Sequence, residues 1–334
     1  MYDQADDIAK IIDEAKEILI VQADNPDADS LGSSLALEEI LESKGKKTFM
    51  LCGVDIPNYL KYLKGWDRVS DDLPASFDLA IFVDVSTLTL TEKLSGSEQI
   101  NSIKTKPVII LDHHESVENE IPFAVVKIND AKRSSTGELI YALFKQIGYE
   151  IPLSAKEYIM NSILGDTQGL SNSLATAETY RIMAELVASG VDRPKLEESR
   201  REYSKMAPEI YAFKADLIKR TQYNPSKEIA YVSINQEEIN KFSPLYNPAP
   251  LIQGDMLMIE NVLVAIVFKS YDDGKLTGAI RCNQSAPIAA KLAESLGGGG
   301  HSYASGFKIA KSLDPDQDVE KCLNEAEKLL AEAE

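Results

Sequence analysis

Histidine is scarce in this chain, with three in 334 residues. Cysteine is equally rare: Cys52, Cys282 and Cys322 are far apart and odd in number. That excludes a disulfide framework or a zinc knuckle and suits idle thiols in a reducing compartment. No apolar run is long enough to span a bilayer, and Met1-Tyr2-Asp3-Gln4 is too acidic for a signal peptide. A cytoplasmic protein with no membrane contact is therefore expected. Positive charge is also short, 35 Lys and Arg against 53 Asp and Glu, for a formal net charge of −18. Gripping a long nucleic-acid duplex takes many cations to displace counterions, so that class of partner is excluded. A short phosphorylated ligand held by metal ions and a few local cations is not.

The composition is otherwise ordinary for a globular protein, 44% hydrophobic and 26% charged. A chain of this length exceeds what one core usually supports, so two domains are expected. Two of the three histidines stand together in Leu111-Asp112-His113-His114-Glu115. That stretch follows Pro107-Val108-Ile109-Ile110-Leu111, an apolar β-branched run that reads as a buried parallel strand. A carboxylate and two imidazoles thus stand at a strand's carboxyl end, where ligands sit in open α/β sheets.

Other strands end in the same way. After a docking helix over residues 3–17, Ile18-Leu19-Ile20-Val21 runs into Asp24-Asn25-Pro26-Asp27-Ala28-Asp29. Three aspartates in six residues repel one another without a counter-ion, and a cation explains them better than a plain Asx turn. The next helix should turn Leu31, Leu35 and Leu41 inward. Strands follow at 48–51 and 78–83, the second ending on Asp84, and another at 124–126. Carboxylates mixed with imidazole suit Mn²⁺, Zn²⁺ or Fe²⁺ better than Ca²⁺. Ser135 and Glu138 have capping-box spacing. Arg133 beside them meets either phosphate or solvent, and Asp166, past a helix at 154–164, is either a ligand or a turn residue.

The second half changes character. Residues 191–227 are charged and helical in spacing, a connector. Strands are expected at 229–234, 262–268 and 276–281, with Asp272-Asp273-Gly274 turning the last two into a hairpin. A helix from Ala286 to Leu296 runs into Gly297-Gly298-Gly299-Gly300-His301-Ser302-Tyr303-Ala304-Ser305-Gly306, whose bare backbone N–H groups let an anion approach. The acidic tail, 314–334, reads as a surface helix.

Taken together and in this order, the Asp27–Asp29 loop, Asp84, Asp112-His113-His114, Gly165-Asp166-Thr167 and the glycine run through Gly306 resemble the DHH phosphoesterase family with its C-terminal DHH-associated domain, most nearly the nanoRNase and 3′-phosphoadenosine-5′-phosphate phosphatase type. The resemblance implies an α/β fold: a parallel-sheet DHH domain over residues 1–190, the connector 191–227, and a smaller α/β substrate-binding domain over 228–334. It implies two Mn²⁺ ions, with Mg²⁺ as the alternative, bridged by Asp84. Asp27 would belong to the first ion and Asp29, His113 and Asp166 to the second. His114 would touch the scissile phosphate. Arg281, Gly299, Gly300, His301 and Ser305 would grip the far phosphate and the nucleotide. It further implies a cleft between the domains that admits short oligonucleotides only, and a homodimer.

One position departs from the family pattern. The first motif ordinarily begins with a metal-binding histidine, and here Ala23 holds that place. Asp24, Asn25 or Gln22 would have to supply an oxygen instead, which favours Mn²⁺ or Mg²⁺ over Zn²⁺. Three readings follow: a metal-dependent phosphoesterase for short RNA or 3′-phosphoadenosine-5′-phosphate, a phosphodiesterase for cyclic or linear dinucleotides, and a nucleotide-binding protein made non-catalytic by Ala23.

Overall fold

A computed structural model of the chain describes residues 1–114, 120–243 and 246–333, apart from the side chains of His301 and Ala333. Glu115, which closes the double-histidine motif, and the His301 side chain therefore lie outside the described residues. The chain divides into two compact units, Met1–Lys205 and Met206–Glu334. Among the described residues no helix is long and apolar enough to cross a membrane.

The first unit is built on six strands: β1 (Glu17–Val21), β2 (Lys47–Leu51), β3 (Val69–Ser70), β4 (Leu79–Val83), β5 (Val108–Asp112) and β6 (Val126–Asn129). They lie in the order β3-β2-β1-β4-β5-β6, and every pair is parallel. The helices are α1 (Ala5–Glu14), α2 (Ala28–Ser43), α3 (Glu92–Ser95), α4 (Gln99–Lys104), α5 (Thr136–Ile147), α6 (Leu153–Asp166), α7 (Ala177–Ala188) and α8 (Arg193–Tyr203). A parallel sheet covered on both faces needs strands that are apolar throughout, and Leu79–Val83 is buried at every position. Ile18 and Ile20 pack on one face with Leu31, Leu35, Leu139 and Ile159. Leu19, Val21 and Phe82 pack on the other with Ile100 and Ile103. The strand order reverses between β1 and β4, so the carboxyl ends of those strands flank a crevice.

Packing of α6 against α2 closes that crevice. A Cβ on Gly165 would stand 2.7 Å from Ala28 Cβ, so only glycine lets the end of α6 meet the start of α2. That approach carries Asp166 to the mouth of the sheet.

In the second unit α9 (Pro208–Lys219), β7 (Gln222–Tyr223), β8 (Ile229–Ile234), α10 (Gln236–Phe242), α11 (Pro248–Met256), β9 (Val264–Ser270), β10 (Leu276–Cys282), α12 (Ala289–Ser295), β11 (Gly299–His301), β12 (Ala304–Ile309) and α13 (Pro315–Ala333) follow in order. The sheet runs β11-β12-β10-β9-β8-β7 and is antiparallel except for β8 with β9. One face packs on α12 and α13 through Ile266, Ile280, Leu292 and Cys322. The opposite face packs on α9, α10 and α11 through Ala230, Val267, Ile210, Ile239 and Ile252.

Several expectations are corrected. The strand anticipated at 124–126 runs instead over Val126–Asn129, because Ile109 to Asp112 of β5 pair with that stretch. The stretch 191–227 is divided: α8 belongs to the first unit, while Ile210, Phe213 and Leu217 of α9 are core residues of the second. The acidic tail is amphipathic rather than a surface helix alone, since Cys322, Ala326 and Leu330 are buried in the second unit's core. The glycine run forms a hairpin rather than an open loop. Gly300 takes φ +140°, and a Cβ there would stand 2.7 Å from Ser305 Cα across the strand pair, so glycine is what lets the two strands approach.

Candidate active site

Three strand ends deliver the site. The Asp27 side chain caps α2, accepting from Asp29 N at 3.0 Å and Ser30 N at 2.9 Å. This turns Asp29 inward, where it is buried to 1% exposure. At the end of β4, Asp84 adopts φ +60°, the left-handed conformation that aspartate tolerates better than most residues. β5 ends on Asp112 and releases His113 and His114.

Asp29 is tied on both oxygens. Oδ1 accepts from Ser33 Oγ at 2.7 Å, Ser162 Oγ at 2.5 Å and Gly137 N at 3.2 Å; Oδ2 accepts from Thr136 N at 2.8 Å. The N-terminus of α5 therefore points at this carboxylate and favours its charge. His113 Nε2 lies 3.4 Å from Asp29 Oδ2, 3.8 Å from Asp84 Oδ1 and 2.9 Å from Asp166 Oδ2. Thr136 Oγ1 donates to Asp84 Oδ1 at 3.0 Å.

Asp112 does a different job. It is 1% exposed, accepts from Ser86 Oγ, and has Oδ1 2.7 Å from His114 Nδ1. Burial pushes its carboxyl up, but the His114 imidazole and Ser86 hold it below the usual carboxylate range. Asp112 orients His114, whose own pKa is raised chiefly by that hydrogen bond.

The cluster carries more negative charge than it can bear alone. Burial, followed by Asp29, Asp27, Asp166 and Asp112, raises Asp84 well above the ordinary carboxylate value. Burial and Asp29 raise Asp166 as well. His113 is pushed up to about 9: burial opposes its charged form, and Asp166 and Asp29 outweigh it. Buried charges at this density need a cation. Asp29, His113 and Asp166 form one set able to hold a metal ion, and Asp84, His113 and His114 form a second.

A divalent ion fits on an independent ground. His113 Nε2 is buried, and although Asp166 is within 2.9 Å, the carboxylate is not aligned for a hydrogen bond to it. Its other nitrogen, Nδ1, is anchored on the Arg133 carbonyl at 3.2 Å. A ring with its far nitrogen held by a backbone oxygen and Nε2 facing carboxylates is the arrangement of a metal-binding histidine, Nε2 giving up its proton when the ion binds.

The structure gathers Asp29, Asp84, His113, His114 and Asp166. Asp27 stands beside them, exposed, and belongs to neither metal-ligand set among the described residues. Ala23 is buried in the apolar cluster with Val21 and Leu51. Next to it in sequence, both amide atoms of buried Gln22 and Oδ1 of Asp24 lack hydrogen-bond partners. The Arg133 side chain holds Tyr2 Oη at 2.9 Å and the buried Glu138 at 3.2 Å, and it lines a cavity of about 920 Å³ with Lys127 and Lys132. The capping box at Ser135 is only half made. Ser135 Oγ accepts from Glu138 N, but the Glu138 carboxylate serves Ser134, Thr179 and Arg133 instead.

In the second unit Arg281 and Ser305 lie on opposite faces of the sheet. Arg281 pairs with Ala304 and is exposed, whereas Ser305 pairs with inward-facing Ile280 and donates to Ala289 O at 2.5 Å. Gly299 and Gly300 pair with Gly306 and Ser305. Sequence reasoning missed Ser33, Ser86, Thr136 and Ser162. The signal was Ser134-Ser135-Thr136-Gly137, a helix start with more hydroxyls than one cap requires.

Comparison with known proteins agrees with this layout. Residues 17–166 match the DHH family, N-terminal domain, and residues 249–332 match the DHHA1 domain. The bifunctional oligoribonuclease and PAP phosphatase NrnA of Thermus thermophilus is 24% identical over 312 residues, 92% of this chain and 89% of that protein. The cyclic-di-AMP phosphodiesterase GdpP of Bacillus subtilis is 23% identical over 92% of this chain but only 48% of its own length. An exopolyphosphatase-related protein from Bacteroides fragilis superposes with a TM-score of 0.86 at 24% identity, covering 99% of this chain and 97% of that one. With the double-histidine cluster at the strand ends of one unit and the glycine hairpin in the other, the chain carries a DHH N-terminal domain followed by a DHHA1 domain.

Proposed function

We propose that this protein is a metal-dependent phosphoesterase that hydrolyses short oligoribonucleotides and 3′-phosphoadenosine-5′-phosphate. The observation that carries the reading is the buried set of Asp29, Asp84, Asp166 and His113, with His113 Nε2 presented to the carboxylates. Similarity to NrnA over nearly the full length of both chains supports the substrate class.

Asp29, His113 and Asp166 would hold one ion, and Asp84, placed near both ligand sets, would be shared with a second. When bound, such ions supply Lewis acidity and an activated water. Mn²⁺ suits the mixture of carboxylates with one or two imidazoles, and Mg²⁺ is the oxygen-preferring alternative. Asp29 is held rigid by Ser33, Ser162 and the start of α5, so the ligands are positioned before any ion arrives. His114, oriented through Nδ1 by Asp112 and raised in pKa, would give a proton to the leaving oxygen as a general acid.

A second reading rests on Ala23. Its buried, apolar surroundings supply no nitrogen ligand, and the protein would then bind nucleotides without turning them over. Product chromatography separates the readings. Purified protein with Mn²⁺, and separately with Mg²⁺, is offered 5′-phosphorylated diadenylate, a longer oligoadenylate, 3′-phosphoadenosine-5′-phosphate and cyclic di-AMP. Mononucleotide from the short linear substrates is expected. Preference for the cyclic dinucleotide would move the protein to the second enzyme class, and no product from any substrate would favour the non-catalytic reading.

A further inference from the structure

The sheet of the second unit carries a cation cluster away from Arg281, in a cavity that Gly297, Gly298 and Gly306 of the glycine run also line. Lys269 of β9 and Lys308 of β12 both pair with Thr277 of β10. The three residues therefore form one cross-strand row on one face. They line a cavity of about 410 Å³ together with Asn247, and among the described residues no carboxylate lines it. In a chain with a net charge of −18 this is a local reversal of sign. Lys269 is half-buried, and its ammonium donates to the neutral Asn247 Oδ1 at 3.2 Å. Burial alone holds its pKa below the ordinary lysine value, so its charge is left to be compensated from the cavity.

The next rows show what else shares that face. Ala279 lies between Val267 and Gly306, and Arg281 lies between Ala265 and Ala304. The small residues Ala279 and Gly306 line the same cavity, and Arg281, one row further on, does not. Thr277 and Arg281 are four residues apart, about 13 Å along a strand. One phosphate group cannot reach both, so a ligand that uses both must carry more than one.

We propose that Lys269, Thr277 and Lys308 form a phosphate-binding subsite, distinct from Arg281, that takes a second phosphate of a nucleotide chain. The subsite rests on the reading of the protein as acting on nucleotides, but it concerns binding and not turnover. Two ammonium groups and a hydroxyl converging on one cavity match a phosphate's several acceptor oxygens.

The test uses the full-length protein in EDTA, so that no substrate is consumed, and measures binding by titration calorimetry. The probes are adenosine 5′-monophosphate and 5′-phosphorylated triadenylate. The wild type is expected to bind the trinucleotide more tightly. Lys308→Ala, at an exposed position, and Thr277→Val, which keeps the side chain's shape, should each weaken trinucleotide binding, and the double variant by about 10- to 100-fold. Affinity for the monophosphate should stay unchanged in all of them. Equal loss for both ligands, or no loss for either, overturns the subsite. Absence of product in the metal-loaded assay would instead overturn the phosphoesterase reading and leave this one standing.

Discussion

His113 Nδ1 stands 3.2 Å from the carbonyl oxygen of Arg133, and this contact sets the chemistry of the ring. A carbonyl only accepts, so Nδ1 carries a proton and Nε2 is the nitrogen turned toward Asp29, Asp84 and Asp166. Arg133 thus serves the site through its backbone, while its side chain braces the start of α5 through Glu138. Four predictions follow from the site so built.

Asp84→Asn should remove the shared carboxylate yet keep a similar volume. Turnover should fall by more than the roughly 10- to 100-fold typical of outer partners of a metal ligand, with circular dichroism unchanged. Retained activity on diadenylate would remove Asp84 from the site.

Ser162→Ala deletes a hydroxyl that donates to Asp29 Oδ1 at 2.5 Å and accepts from Gly137 N at 3.0 Å. Metal affinity, measured by titration, should drop roughly 10- to 100-fold. Saturating metal should restore most of the activity. A loss of kcat that excess metal does not relieve would contradict a purely positioning role.

Metal-free protein should lose stability as pH rises from about 6.5 to about 9. His113 titrates near 6.5 unfolded and is raised to about 9 folded, so its contribution is complete below 6.5 and gone above 9. Asp84 and Asp166 are also raised. Their proton-linked stability has the same sign and is lost as pH climbs through their folded values. Deprotonated ligands bind metal better, so the metal-loaded protein should show the opposite trend. Melting curves in EDTA and in Mn²⁺ across this window read both slopes. A metal-free melting temperature that climbs with pH would refute the charge assignment.

Gly165→Val should force α6 away from Ala28, where even a Cβ would stand at 2.7 Å. Overpacking of this kind costs about 1–3 kcal/mol, measurable as a shift in the urea midpoint. Because Asp166 is the next residue, metal affinity should fall with it. A variant equally stable and equally tight for metal would show that the helix contact is not what delivers Asp166.

Much of this molecule was legible in its residues taken in order. The runs Ile18–Val21, Leu79–Val83 and Val108–Leu111 are apolar on both sides because a covered parallel strand has no solvent face, and the last two are followed at once by Asp84 and Asp112. Locality makes that readable: a strand end and the residue after it are neighbours in sequence and in space. The hairpin at Asp272-Asp273-Gly274 is local for the same reason, Gly274 taking φ +84°.

What the tertiary structure alone decided depends on contacts between distant segments. Residue spacing left Asp166 as ligand or turn and the family resemblance made it a ligand; the Gly165–Ala28 contact is what brings it within 2.9 Å of His113. Thr136 and Ser162 reach the aspartates across 52 and 133 residues, distances no motif spacing encodes. The contacts of the Arg133 guanidinium with Glu138 and Tyr2 join segments far apart in the chain and were not legible either. Strand register turned Arg281 to one face and Ser305 to the other, since adjacent pairing positions point oppositely. The same register assembled Lys269, Thr277 and Lys308 from three separate strands. Sequence by itself determined which residues stand at strand ends and so the kind of chemistry on offer; helix packing and cross-strand register, which join residues far apart in the chain, decided which of them meet.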